Sequence, residues 1–302
     1  MKVIRSKVLG YCSGVSRAVE MARRETVACS NGACPSIYTL GPLIHNPVVL
    51  EDLKKRGIRV LEEDEALSAG RCEKGSTVII RAHGISPQAE KALAGQGLRV
   101  VDATCPHVKL SQDKARQFSE KGYRVFLAGE KDHAEIKGIL GYISGPGSPP
   151  PAGSACYVVG NPAEAESAAE SLFEREPGAK TALIGQTTVR AEEYTAIGEA
   201  IKRFFPGLEI ANTICGSTAA RQEALRELCR LCDAVIIVGG RESANTRRLL
   251  SLARETGKPA WLVETAGDLP PEIKSFETVG LSAGASAPGS LIDEIETALA
   301  KL

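Results

Sequence analysis

Short apolar runs rich in β-branched residues alternate along the chain with stretches whose apolar positions recur every three or four residues. The runs are Val78–Ile80, Val100–Val101, Arg124–Leu127, Ala182–Ile184, Ala234–Val238 and Pro259–Val263, and the helical stretches include Ser16–Thr26, Ser111–Lys121 and Arg221–Leu231. Runs too short for helices, each followed by an amphipathic helix, predict βαβα order and therefore parallel sheets with helices packed on them. One segment has neither period. Gly145–Gly153 reads Gly-Pro-Gly-Ser-Pro-Pro-Pro-Ala-Gly and is expected to form an exposed loop remote from chemistry.

The cysteines expose a threefold repeat within this pattern. Cys12, Cys105 and Cys215 each follow a short apolar run and precede a helical stretch, in the contexts Val8-Leu9-Gly10-Tyr11-Cys12, Val101-Asp102-Ala103-Thr104-Cys105 and Ala211-Asn212-Thr213-Ile214-Cys215. A second landmark is a glycine with a polar residue four positions on: Gly41 with His45, Gly129 with His133, Gly239 with Ser243. A third aligns Arg81-Ala82-His83-Gly84 with Gly185-Gln186-Thr187-Thr188 and Gly284-Ala285-Ser286-Ala287. Each landmark falls where a strand gives way to a helix, at the carboxyl ends of parallel strands where open α/β sheets bind ligands. Three small sheets about a pseudo-threefold axis would bring the three cysteines to one point, with helix N-termini favouring the thiolates. The plainer alternative is three buried structural cysteines.

Three converging thiolates without a fourth matching cysteine suggest a soft-ligand metal centre with an open position. Zinc held by three cysteines and a histidine fits, and so does a [4Fe–4S] cluster with one iron left free for substrate. The other cysteines lack the repeated context. Cys229 and Cys232 form a C-x-x-C pair near the end of a helical stretch, a poor place for thioredoxin-like chemistry, and Cys29, Cys34, Cys72 and Cys156 have no assigned role. Nine cysteines is an odd number, and together with the absence of a signal-like apolar segment it suggests reduced thiols in a cytoplasmic protein.

Composition narrows the partners. Lys plus Arg and Asp plus Glu are both 37, so no net field holds the chain on nucleic acid or anionic lipid, and one tryptophan leaves little for base stacking. No apolar stretch is long enough to span a membrane. Neither a G-x-x-x-x-G-K-[ST] loop nor a complete dinucleotide fingerprint is present, since Gly95-Gln96-Gly97 lacks the third glycine. The second and third landmarks instead supply His45, His83, His133, Thr187, Ser243, Asn245 and Ser286, neutral or weakly basic donors at helix starts, which suits a phosphate or diphosphate. His107 is read as a structural histidine. Glu135 lies two residues after His133; facing an anionic cluster and diphosphate its protonated form is favoured, making it a proton donor, while the alternative is a first-turn carboxylate complementing a helix dipole.

With these residues in view, the chain closely resembles the 4-hydroxy-3-methylbut-2-enyl diphosphate reductase family. The matching motifs are Gly10-Tyr11-Cys12-Ser13-Gly14-Val15, Gly41-Pro42-Leu43-Ile44-His45-Asn46, Arg81-Ala82-His83-Gly84, Asp102-Ala103-Thr104-Cys105-Pro106, Gln186-Thr187-Thr188, Thr213-Ile214-Cys215, Ser243-Ala244-Asn245 and Ala283-Gly284-Ala285-Ser286, in family order. The resemblance implies an α/β trefoil of three pseudo-symmetric small domains (14–104, 105–213, and 1–13 with 214–302) around one central [4Fe–4S] cluster per chain. The implied ligands are Cys12, Cys105 and Cys215, with one iron not bound by cysteine. It further implies reductive loss of the hydroxyl of an allylic diphosphate as water, giving isopentenyl and dimethylallyl diphosphates, with electrons from a ferredoxin- or flavodoxin-type donor. Glu135 matches the family's proton donor with His133 and Thr187 beside it, and His45, His83, Ser243, Asn245 and Ser286 match the diphosphate ligands.

Departures from the family pattern are modest. His133-Ala134-Glu135 replaces the usual His-Pro-Glu, Ala244 replaces a second serine, and Gly145–Gly153 looks inserted; the segment after Cys215 keeps Thr218 and Arg221-Gln222. Two other classes compete: a substrate-binding iron–sulfur dehydratase or quinolinate synthase, which needs no external electrons, and a non-catalytic iron–sulfur sensor or carrier, for which the anion donors have no purpose.

Overall fold

The computed structural model describes residues 1–30, 32, 34–68, 70–143 and 156–302. The proline-rich segment Gly145–Gly153 therefore lies outside the described residues. The chain opens with β1 (Lys2–Arg5), α1 (Ser13–Ser30), β2 (Ile37–Leu40), α2 (Pro47–Lys55), β3 (Ile58–Leu61), α3 (Glu63–Leu67), β4 (Thr77–Ile80), α4 (Pro87–Gly95) and β5 (Arg99–Asp102). It continues through α5 (Pro106–Glu120), β6 (Arg124–Ala128), α6 (Ala134–Ile143), β7 (Cys156–Val159), α7 (Pro162–Arg175), β8 (Thr181–Gly185), α8 (Ala191–Lys202) and β9 (Glu209–Ile210). The last part comprises α9 (Gly216–Cys229), β10 (Ala234–Val238), α10 (Ala244–Glu255), β11 (Ala260–Val263), β12 (Thr278–Ala283) and α11 (Gly289–Ala300).

The strands form three four-stranded sheets of the orders β3-β2-β4-β5, β7-β6-β8-β9 and β11-β10-β12-β1, and the paired strands run parallel. Numbered within each repeat this is 2-1-3-4 three times, the third sheet being completed by the N-terminal strand. The βαβα order and three similar α/β domains expected from the pattern are present. In each sheet the strand order reverses between its two central strands, which creates the switch-point crevice where doubly wound folds bind ligands. The second and third landmarks follow those two strands.

The central strands explain why the pattern was readable. All five residues of β10 and of β8 are buried, as expected when helices cover both faces of a parallel sheet. The edge strands β1 and β9 keep exposed positions, and their mixed polarity hid them. β12 was hidden for another reason: it carries Gly280, where a Cβ would come within 2.7 Å of the Cys232 sulfur and 2.9 Å of Leu228. The glycine that dilutes the apolar signal is what lets the segment after α9 lie on the strand.

Two compact units gather these elements: Met1–Val27 with Pro42–Arg59 and Gly216–Leu302, and Ala28–Gly41 with Val60–Cys215. The first is built on apolar clusters around β10 and β12, including Ile236, Leu281, Ile292, Leu225 and Leu249. In the second, clusters around Phe126 and Ile197, Leu127 and Ile139, and Val78 and Leu93 cover the other two sheets. Cys29 and Cys34, read from sequence as free thiols, are joined in a disulfide with their Cα atoms 5.0 Å apart; their spacing across the turn after α1 brings them within bonding reach. Among the described residues no helix is long and apolar enough to cross a membrane.

Candidate functional site

The repeat recurs in the backbone hydrogen bonds. The amides of Gly41, Gly129 and Gly239 donate to the carbonyls of Leu61 (2.6 Å), Val159 (2.9 Å) and Val263 (3.0 Å). The turns of the third landmark close through Gly84 to Arg81, Val189 to Gln186 and Ala287 to Gly284, at 3.0, 3.0 and 3.2 Å. Most telling are the cysteines: the amides of Cys105, Cys215 and Cys12 donate to the carbonyls of Ala82 (3.0 Å), Thr187 (3.0 Å) and Ala285 (3.3 Å). Each cysteine is thus pinned to the turn that follows the third strand of its sheet.

This register corrects the sequence alignment of the second repeat by one residue. Thr187 is equivalent to Ala82 and Ala285, and Thr188, rather than Thr187, is equivalent to His83 and Ser286. Gly185 misled the alignment because it ends β8 instead of starting the turn.

Burial separates the thiols into two groups. Cys12, Cys105 and Cys215 are partly exposed, whereas Cys72, Cys156, Cys229 and Cys232 are buried. Cys105 caps α5 with Pro106 at the first helical position, and the Val15 amide, in the first turn of α1, points at the Cys12 sulfur at 3.5 Å. Burial pushes Cys156 up to about 12 and, with Cys229 adding to it, Cys232 up to about 11. The C-x-x-C pair is core material, with the Cys232 thiol donating to the Leu228 carbonyl. His107, read as structural, is exposed on α5.

In the unit containing Cys105 and Cys215, the predicted side chains form one connected network. Glu135, in the first turn of α6, is only 1% exposed. Its Oε1 accepts the Thr187 amide at 2.7 Å and its Oε2 pairs with the Thr187 hydroxyl at 2.9 Å. The Glu135 amide donates to His133 Nδ1 at 3.2 Å, which assigns the neutral ring's proton to Nε2. His133 meets His83 edge-to-face with ring centroids 5.1 Å apart. Thr187 leads to Cys215 through its carbonyl, and His83 follows Ala82, the anchor of Cys105. The helix-dipole alternative for Glu135 describes its position but leaves both carboxylate bonds to Thr187 unaccounted for.

The unit containing Cys12 holds the other predicted residues. The Ser286 hydroxyl donates to the His45 carbonyl at 3.0 Å. Ser243 caps α10, its hydroxyl accepting the Thr246 amide at 3.3 Å. Asn245 is 6% exposed, and among the described residues neither end of its amide has a partner. Ala244, also buried, offers only its backbone amide beside it. Gly239 is required by close packing, because a Cβ there would sit 2.8 Å from the Thr246 hydroxyl. A buried side-chain amide whose NH2 group can donate, in the first turn of α10, suits a phosphate group.

Three residues beyond the sequence prediction shape this end of the sheets. Gln186 accepts the Glu130 amide at 2.9 Å and donates to the Thr188 hydroxyl at 3.0 Å. Thr213 grips Gly185, accepting its amide at 2.8 Å and donating to its carbonyl at 3.0 Å. Asp102 accepts the Thr104 amide at 2.9 Å and pairs with Lys109; burial raises its pKa, but the bonds to Lys109 and Thr104 outweigh that and hold it below the usual range. Position relative to the cysteine was the available signal for Thr213 and Asp102.

Comparison with known proteins agrees with this construction. The family model described as LytB protein matches residues 3–300. A 4-hydroxy-3-methylbut-2-enyl diphosphate reductase of Treponema denticola is 42% identical, with 99% of each chain covered, and one of Aquifex aeolicus is 37% identical over 99% of this chain and 96% of its own. The solved structure of the corresponding reductase from Plasmodium falciparum superimposes with a TM-score of 0.85 at 27% identity, covering 98% of this chain and 87% of that one. A second solved structure, described as the terminal enzyme of the non-mevalonate pathway, gives a TM-score of 0.68 at 34% identity with both chains fully covered. The chain belongs to the LytB family, the 4-hydroxy-3-methylbut-2-enyl diphosphate reductases that act as terminal enzymes of the non-mevalonate isoprenoid pathway.

Proposed function

We propose that Cys12, Cys105 and Cys215 hold the iron–sulfur cluster implied by the family, as one [4Fe–4S] cluster per chain with one iron not bound by cysteine. The observation that carries this reading is the shared backbone bond of these three partly exposed thiols to the third-landmark turn, a constraint that none of the buried cysteines has. Three soft thiolate donors match such a cluster and leave one metal position for substrate. When bound, the cluster supplies electrons and a Lewis-acidic iron. The three-domain division 14–104, 105–213, and 1–13 with 214–302 is part of the same proposal, since each sheet falls within one of those ranges.

Around that group the chain's own residues divide the labour. Asn245, Ser243, Ser286, His45 and His83 bind the diphosphate of the allylic substrate. His133 donates from Nε2. Glu135 is the proton donor: the Thr187 amide keeps Oε1 an acceptor and the Thr187 hydroxyl donates to Oε2, and a proton taken up at Oε2 reverses that second bond so that the hydroxyl passes its own proton onward. Loss of the hydroxyl as water, with two electrons and two protons, leaves isopentenyl or dimethylallyl diphosphate. The electrons come from a ferredoxin- or flavodoxin-type donor in the cytoplasm.

Anaerobic incubation with the hydroxylated allylic diphosphate and a reduced viologen tests the whole reading. Consumption of viologen should match the isopentenyl and dimethylallyl diphosphates formed. Product formed without reductant would place the chain among dehydratases, and a loaded cluster indifferent to substrate would make it a sensor or carrier; either result overturns the proposal.

A further inference from the structure

The three cysteine turns are held by different means, in step with the length of chain that must be held. Cys105, Cys215 and Cys12 lie three, five and seven residues beyond the ends of β5, β9 and β1. A longer connection has more conformations to lose on closing. For the shortest, the ladder simply continues, the Ala103 amide donating to the Ile80 carbonyl at 3.2 Å before Cys105 reaches Ala82. For the intermediate one, the Thr213 side chain clasps both backbone groups of Gly185. The longest keeps a ladder bond, the Ser6 amide donating to the Leu281 carbonyl at 2.9 Å, but that bond lies six residues short of Cys12, and Gly10, which stands two residues before its cysteine as Thr213 does, has no side chain to clasp with.

That connection has Arg221 instead. This side chain, from the second turn of α9, is 2% exposed and is the largest among the described residues that are fully buried. Its guanidinium donates from one terminal nitrogen to the Gly10 carbonyl at 2.9 Å and from the other to the Ala283 carbonyl at 3.1 Å. Gly10 stands two residues before Cys12 and has a φ of +77°, a left-handed turn open to glycine that presents its carbonyl inward. Ala283 ends β12, immediately before the turn that carries Ala285, the partner of the Cys12 amide, and Ser286. A rigid fork with two donors can tie two chain segments at once, as an ammonium cannot.

We propose that Arg221 is a positioning residue that fixes the turns of Cys12 and Ser286 against each other, doing for the first cysteine what Thr213 does for the third. The proposal rests on the reading of Cys12 as a cluster ligand. The Arg-Gln pair that follows Cys215 in the family-like motif thereby acquires a use: its arginine serves a different cysteine from the one it follows in sequence.

The test compares Arg221→Lys with Thr213→Val in apo protein, reading iodoacetamide labelling of each cysteine by mass spectrometry. Labelling of Cys12 should rise about five- to tenfold in Arg221→Lys, with Cys105 and Cys215 unchanged, a change of the size expected on losing one buried hydrogen bond's restraint. Thr213→Val should shift Cys215 alone. Arg221→Lys keeps the charge, so its circular dichroism should match the parent even where the harsher Arg221→Met fails to fold. In loaded protein, Arg221→Lys should hasten cluster loss to an iron chelator and alter the electron paramagnetic resonance of the reduced cluster. Unchanged Cys12 labelling, or an equal rise at all three cysteines, would overturn the proposal. Retention of a full cluster by Cys12→Ser would instead overturn the ligand reading, leaving the labelling result to decide the positioning role.

Discussion

In the compact unit that contains Cys105 and Cys215, Glu135 holds Thr187 through both carboxylate oxygens and its amide donates to the His133 ring, so the polar groups form a wired path. In the unit that contains Cys12, Asn245 is also buried, yet its amide is unmatched among the described residues. A buried amide without partners costs about 1–3 kcal/mol, a penalty that an anion accepting from its NH2 group would reduce. A prewired carboxylate needs no such completion. On the function proposed above, the contrast separates two duties: one unit would carry the acid chemistry and the other the greater part of the anion grip.

The largest effects should fall on the feature both units share. Cys12→Ser, Cys105→Ser and Cys215→Ser should each lose most of an iron content of about four per chain and with it all reductase activity. Cys229→Ser should keep both. Iron analysis of anaerobically purified protein checks this, and equal loss in Cys229→Ser would erase the distinction between turn cysteines and core cysteines.

Within the acid-bearing unit, Glu135→Asp should lower kcat by about 10²-fold, because retracting the carboxyl by about 1 Å breaks its fit to Thr187. The cluster spectrum should stay normal. Smaller effects are expected of the histidines. His45→Ala should raise KM about tenfold at nearly constant kcat, the signature of lost uniform binding, while His83→Ala, whose ring packs on His133, should change both constants. Identical profiles for the two would blur the division between the units. The smallest change is a gain: Ala244→Ser, adding a hydroxyl beside Asn245, should tighten diphosphate binding by about 0.5–1.5 kcal/mol, measured by titration of the diphosphate product.

Much of this molecule was legible because its repeated unit is legible. The central strands are continuous apolar runs, and the three cysteines stand at like points in the repeat, so the fold class could be named and the candidate site residues proposed together. What escaped did so for physical reasons. β12 is broken by Gly280 and Ser282, the one required by packing on Cys232 and Leu228. The second repeat slipped by one residue because Gly185 belongs to a strand. Arg221 was read only as part of a helical stretch and of the family-like motif, and the structure shows it buried between two carbonyls. The Cys29–Cys34 disulfide ran against the expectation of reduced thiols, since five residues of separation says nothing about whether a turn brings two sulfurs together.

The separation of duties is tested most directly by measuring kcat and KM for Glu135→Gln and Asn245→Ala side by side, under anaerobic conditions with reduced viologen and with cluster content matched to the parent. Glu135→Gln keeps the shape of the carboxyl but removes its acid, so kcat should fall by about 10²- to 10⁴-fold while KM stays near the parent value. Asn245→Ala should do the reverse, raising KM by about tenfold with kcat largely preserved. A Glu135→Gln enzyme with parental turnover, or an Asn245→Ala enzyme that loses kcat and keeps its KM, would contradict the assignment of acid chemistry to one unit and anion binding to the other.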